Sequence, residues 1–168
     1  MKGRLIIMKR TFVVGNGDRV LWAMCIAAYV LTAEYFSPFS IVRAELNEGS
    51  MVEERPLGAT PAEDRFIVVV ATLAMYAALD PDSYKTICPD QIPETLMEMI
   101  AEMLRDRGET VSNEAVLGER DRLLGIATDI LRKNHMYHLR LAAALMKGPI
   151  TTDVIEELKG FNDKGNAA

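Results

Sequence analysis

The chain has little of what most catalytic and nucleic-acid-binding sites are built from. Its 168 residues include two cysteines, two histidines and one tryptophan, and aromatics make up 7%. Cys25 and Cys88 provide neither a disulfide framework nor a metal cluster, which suits a reducing cytoplasm. Scarce aromatics remove the stacking platforms on which single-stranded nucleic acids are bound. Basic charge is sparse beyond the start of the chain. Residues 1–19 hold five basic groups and one acidic group, residues 61–110 hold four and ten, and the last 58 balance at eight each. With a net charge of −5 and no continuous basic field, direct nucleic-acid binding is disfavoured. An acidic patch met by another protein with a basic surface is the more natural pairing.

Motifs that announce chemistry are equally scarce. The sequence holds no GxSxG, Walker lysine, HExxH or CxxC pattern, and Gly15 and Gly17 lack the third glycine and the βαβ context of a dinucleotide turn. Asp80, Asp82 and Asp90 do not have calcium-loop spacing. His135 and His138 stand three residues apart. On a helix they share a face, but a metal site needs further ligands from elsewhere. The paired Glu-x-x-His elements of a di-iron bundle are absent. No cofactor is implied.

Long apolar runs are missing too. Residues 20–31 follow basic groups and have the outline of a secretory signal, yet the long leader, Asp18 beside the run and Leu31 ahead of Ala33 fit that role poorly. Neither this run nor residues 66–79 reaches the roughly eighteen residues that cross a bilayer. Both read as core helices, with no membrane contact expected.

What the chain does have is helical pattern. A hydrophobic fraction of 49% with 26% charged residues is ordinary for a globular protein. Ten methionines, among them Met97, Met99 and Met103, suit either an irregular core or an adaptable surface. The reading predicts a mainly α fold: one helical domain over 1–168, a compact bundle of four to five helices. A short β strand or hairpin is expected within 1–17 and a frayed tail over 160–168.

In order, residues 4–8 and 11–14 read as strands, and 15–17 as a turn. Asp18 caps a helix over 19–35 that is apolar on all sides and is ended by Ser37 and Pro38. Residues 41–46 read as a helical turn or short strand and 47–56 as an exposed loop. The strongest start signal opens residues 60–79, around which the rest is expected to pack: Thr60 caps, Pro61 takes the first helical position, and Glu63 closes a capping box. Ala71, Ala74, Ala77 and Ala78 allow close helix approach. A third helix spans 90–107 with Leu96, Ile100, Met103 and Leu104 inward. A fourth spans 113–146, broken at Gly118, Gly125 or Asn134, and a last one, capped by Thr152 or Asp153, runs to Leu158.

Two surfaces emerge as candidate partner-binding sites. Glu94, Glu98, Glu102 and Asp106 fall at four-residue steps and form one acidic helical stripe. His135, His138 and Arg140, with Tyr137 beside them, form a polar patch. The function expected is non-catalytic: a small cytoplasmic regulator or inhibitor that docks on another protein through acidic and Met-rich helical surfaces. Surplus apolar surface also suits a homodimer. The alternatives are a metal-dependent or acid–base enzyme using His135 and His138, and an acidic mimic of nucleic acid that blocks a nucleic-acid-binding protein.

Overall fold

A computed structural model describes residues 7–12, 18–46, 50–84 and 92–166, the side chains of residue 12 and of 161–166 excepted. The expected strand residues 4–6 and 13–14, the 15–17 turn, Cys88 and the Asp90 helix start lie outside the described residues. The fold is mainly helical, with a small antiparallel sheet. Its elements are β1 (Met8–Phe12), α1 (Arg19–Phe36), β2 (Ile41–Glu45), β3 (Ser50–Glu54), α2 (Pro61–Ala77), α3 (Glu94–Asp106), α4 (Asn113–Lys133), α5 (His135–Lys147), β4 (Ile150–Thr151) and α6 (Thr152–Asn166).

The centre of the core is α1 as much as α2. Asp18 accepts a hydrogen bond from the Val20 N–H at 2.9 Å and starts the helix. Twelve consecutive residues, Ala23 to Glu34, are buried, because α2 and α5 pack along α1 and the sheet covers its remaining side. At 18 residues and a mean hydropathy of 1.3, α1 has the length and composition of a bilayer-crossing helix, although 67% of it is buried inside the fold. The apolar run read as too short is therefore embedded in a longer helix.

The start of α2 follows the sequence closely. Thr60 Oγ1 accepts from the Glu63 N–H at 3.2 Å. Glu63 reaches back to the Ala59 N–H at 2.8 Å, one residue before the cap, and Asp64 accepts from the Leu57 N–H at 3.1 Å. The first bond satisfies a donor that the helix start leaves open, and the other two tie the incoming segment to the first turn. Ala71, Ala74, Ala77 and Ala78 are fully buried, and the α1–α2 packing is close.

The sheet is where the structure departs most from expectation. Its order is β1-β3-β2-β4, antiparallel throughout. Residues 50–54, read as exposed loop, form a strand paired on both sides, with Met51 and Val52 buried. Glu54, 1% exposed, is the reason this is tolerated: Arg10 pairs with one carboxylate oxygen and the Tyr29 hydroxyl donates to the other at 2.8 Å. A buried carboxylate persists when its oxygens are so occupied. The N-terminal strand thus pairs with β3.

Six helices are described where four to five were expected, because the long 113–146 segment divides. Asn134 makes the break: its Nδ2 donates to the Ile130 carbonyl at 2.8 Å, and its backbone leaves the helical region at φ −119°, ψ 29°. The last helix, α6, continues past Leu158 to Asn166.

Candidate functional site

The acidic stripe forms on α3 much as its spacing predicts. The helix buries Leu96, Ile100, Met103 and Leu104, which leaves Glu94, Glu98, Glu102 and Asp106 exposed on another side. The stripe is not uniformly free. Arg65 of α2 pairs with Asp106 and approaches Glu102 at 3.6 Å. Among the described residues, Glu94 and Glu98 have no basic partner. Unneutralised charge is therefore concentrated in the N-terminal half of α3. The methionines contribute less surface than expected, since Met103 is buried and Met97 and Met99 pack half-buried against the core.

The N-terminal end of α3 also borders an apolar cavity of about 610 Å³. Trp22 and Cys25 of α1, Met75 and Tyr76 of α2, Leu79, Pro93 and Thr95 line it. Its size falls in the range of ligand or side-chain binding pockets. Burial pushes the Cys25 thiol up to about 12, so the sulfur is a protonated, inert part of the wall.

The histidine patch does not form as expected. His138 is fully buried and His135 half-buried, while Arg140 projects from a different side of α5. The solvent-facing surface shared by His135, His138 and Arg140 is therefore absent. The histidines instead converge on Tyr84, whose hydroxyl lies 2.7 Å from Nδ1 of His135 and 2.8 Å from Nδ1 of His138. Nε2 of His138 lies 2.7 Å from the Met24 carbonyl, which only accepts, so that nitrogen carries the hydrogen. Nδ1 of His138 then accepts from the Tyr84 hydroxyl, and the tyrosine oxygen accepts from the Nδ1–H of His135.

This chain of bonds joins α5, α1 and the segment after α2. Tyr84 is held at φ 54°, with its carbonyl accepting from Thr128 at 3.3 Å and its N–H donating to the Asp80 carbonyl at 2.6 Å. Burial pushes His138 down to about 4, against a weaker upward pull from the Met24 bond, and pushes Tyr84 up to about 12. At neutral pH both are uncharged, with the His138 lone pair already engaged. The arrangement fastens elements together. Among the described residues, no group of three or more His, Cys, Asp and Glu side chains converges as metal ligands.

Tyr84 is the participant that sequence reasoning missed, since a tyrosine three residues after Asp80-Pro81 carries no pattern of its own. Glu119 is another. It is buried at the start of α4 and bonded to Arg122 at 2.6 Å and Arg107 at 3.0 Å, which hold its carboxyl down to about 2. No protein-family description matches the chain, and comparison with curated proteins gives no match.

Proposed function

We propose that the protein is a non-catalytic binding module that receives a basic, amphipathic segment of a partner protein and thereby regulates or inhibits it. The observation that carries this reading is the junction of two features on one helix end. Pro93 and Thr95 border the 610 Å³ apolar cavity, and Glu94 and Glu98 stand on the same turns without a basic partner among the described residues. An apolar side chain of the partner would enter between Trp22, Met75 and Leu79. Its lysines or arginines would meet Glu94 and Glu98. Affinity in such an arrangement comes from a few buried anchors, while charge sets the encounter rate and rejects acidic competitors.

Trp22 is the single tryptophan of the chain, so its fluorescence reports on the cavity directly. Titration with a helical Lys/Leu peptide is expected to change Trp22 emission saturably, with affinity falling as salt rises. A Glu/Leu peptide of the same pattern is expected to bind at least tenfold more weakly. Glu94→Lys with Glu98→Lys should weaken the Lys/Leu peptide several-fold and leave the thermal midpoint nearly unchanged. Equal affinity for both peptides, or no effect of the double reversal, would reject the reading.

A further inference from the structure

The first strand is set apart from the rest of the fold. β1 is the outermost strand of the sheet and pairs with β3 alone. From Ile7 to Thr11 no side chain is buried, and Ile7 and Met8 are 46% and 42% exposed. The β2–β3 ladder and the packing of α1 on α2 and α5 do not involve it. One added strand of five residues is weakly held by its ladder, so its side-chain fastening decides how firmly it sits.

Arg10 is that fastening. Its guanidinium pairs with Glu54, whose other oxygen accepts from the Tyr29 hydroxyl at 2.8 Å. Glu54 is 1% exposed and Tyr29 is fully buried. If β1 lifts off, Glu54 is left as a buried carboxylate without its cation, which is costly. The pair therefore works as a latch.

The latch and the apolar cavity lie along one face of α1. Trp22, Cys25 and Tyr29 are spaced three and four residues apart on that helix, which puts them on one side of it. Trp22 and Cys25 line the 610 Å³ cavity, and Thr11, the residue after Arg10, lines it as well. The strand also carries the chemistry that the cavity and the acidic residues beside it are suited to receive. Residues 1–19 hold five basic groups and one acidic group in a chain of net charge −5, and β1 itself reads Met-Lys-Arg-Thr-Phe.

We infer that β1 is an autoinhibitory strap: a built-in basic segment, latched by Arg10 on Glu54, that closes one side of the cavity and must lift before a partner's segment can fill it. The inhibitory role rests on the reading of this cavity as the partner's site. Once β1 lifts, Glu54 and the Trp22–Tyr29 face of α1 open together, and an arginine of the partner can replace Arg10 on the carboxylate.

Lys9 and Glu53 stand opposite each other in the β1–β3 register, so Lys9→Cys with Glu53→Cys gives a cross-link that locks the strap when oxidised and frees it when reduced. Cys25, 3% exposed in the cavity wall, reports opening without any partner. Its labelling by N-ethylmaleimide, read by peptide mass so that other thiols do not count, is expected to be about tenfold slower in the locked protein. In the reduced protein the rate should be insensitive to low urea, as local opening is and global unfolding is not. Glu54→Gln in the otherwise unaltered chain should speed labelling about tenfold with the helical circular dichroism unchanged. The Lys/Leu peptide, followed by Trp22 emission, should bind several-fold more weakly to the locked protein than to the reduced one. Equal labelling in the locked and reduced states overturns the strap, whatever the Glu54 variant does. Slower labelling in the locked state with no peptide bound in either state upholds the strap and removes the partner reading. Peptide binding of equal strength in both states upholds the partner reading and overturns the strap.

Discussion

Nε2 of His138 donates to the backbone carbonyl of Met24 across 2.7 Å, joining α5 to α1 through residues 114 positions apart. That bond is made by the neutral imidazole in a site with no solvent access. Its titration follows with a definite sign. In the unfolded chain His138 titrates near its ordinary 6.5, and in the folded protein near 4. Between these values the unfolded state holds the extra proton, so stability rises with pH. The contribution is complete above pH 6.5 and is lost as pH falls from 6.5 to 4, with a full amplitude of about 3 kcal/mol. Urea denaturation at closely spaced pH values should show this loss. His138→Gln should flatten the slope over that window by about one proton. Superimposable slopes would contradict the buried neutral state.

Tyr84 bridges both histidines, so Tyr84→Phe tests the network without changing volume much. Losing the hydroxyl leaves Nδ1 of His138 without its donor, at a cost of about 1–3 kcal/mol. The Tyr84→Phe and His138→Gln effects should be markedly less than additive in a double-mutant cycle, because both delete the same bond. Full additivity would place Tyr84 outside the network.

Two glycines should respond in opposite directions to alanine. A Cβ at Gly58 would stand 2.4 Å from the Asp64 nitrogen and 2.6 Å from the Glu63 Cβ, within the start of α2. Gly58→Ala should therefore cost about 1–3 kcal/mol by overpacking. Gly118 is exposed in α4 with open space around it, and Gly118→Ala should stabilise the helix by about 0.5–1 kcal/mol. Thermal midpoints of the two variants decide both.

Glu119 ties the C-terminal end of α3 to the start of α4 through Arg107 and is held in place by Arg122. Its folded pKa is depressed to about 2, so its contribution is present above the ordinary carboxylate value of 4.5 and is lost as pH falls toward 2. A carboxyl NMR titration should find Glu119 still ionised near pH 3. Glu119→Gln should cost about 1–2 kcal/mol at neutral pH, since it weakens charge-assisted bonds. An ordinary midpoint near 4.5 would refute the pairing.

Much of the helical layer was legible because it follows from local rules. The Asp18 and Thr60 caps and the inner face Leu96, Ile100, Met103 and Leu104 depend on neighbours within a turn or two. The sheet was not legible. Ser50 to Glu54 reads as surface from its composition, because the partners that let Glu54 be buried, the Arg10 guanidinium and the Tyr29 hydroxyl, lie far away in the chain. The choice among Gly118, Gly125 and Asn134 as the helix break could not be made from propensity alone. Both glycines sit in unbroken helix with room to spare, whereas Asn134 carries a side chain that reaches the Ile130 carbonyl. The acidic stripe was readable as a pattern, but its partial neutralisation by Arg65 was not, since that pairing crosses from α2 to α3. His135 and His138 read as an outward-facing pair, whereas His138 is buried against Tyr84 and Met24, which stand far from it in the chain.

The position of α1 carries a consequence for the chain's birth. Its principal helical neighbours are α2 and α5, with a smaller contact from α4, and α5 is translated long after α1 has left the ribosome. Until then one flank of an eighteen-residue apolar helix is uncovered, in a nascent chain that already meets the hydropathy criterion of a membrane segment. The ribosome-bound intermediate therefore keeps apolar helix surface exposed until α5 has been made. Slowing synthesis between α2 and α5 should lower the soluble yield even though the finished protein is unchanged.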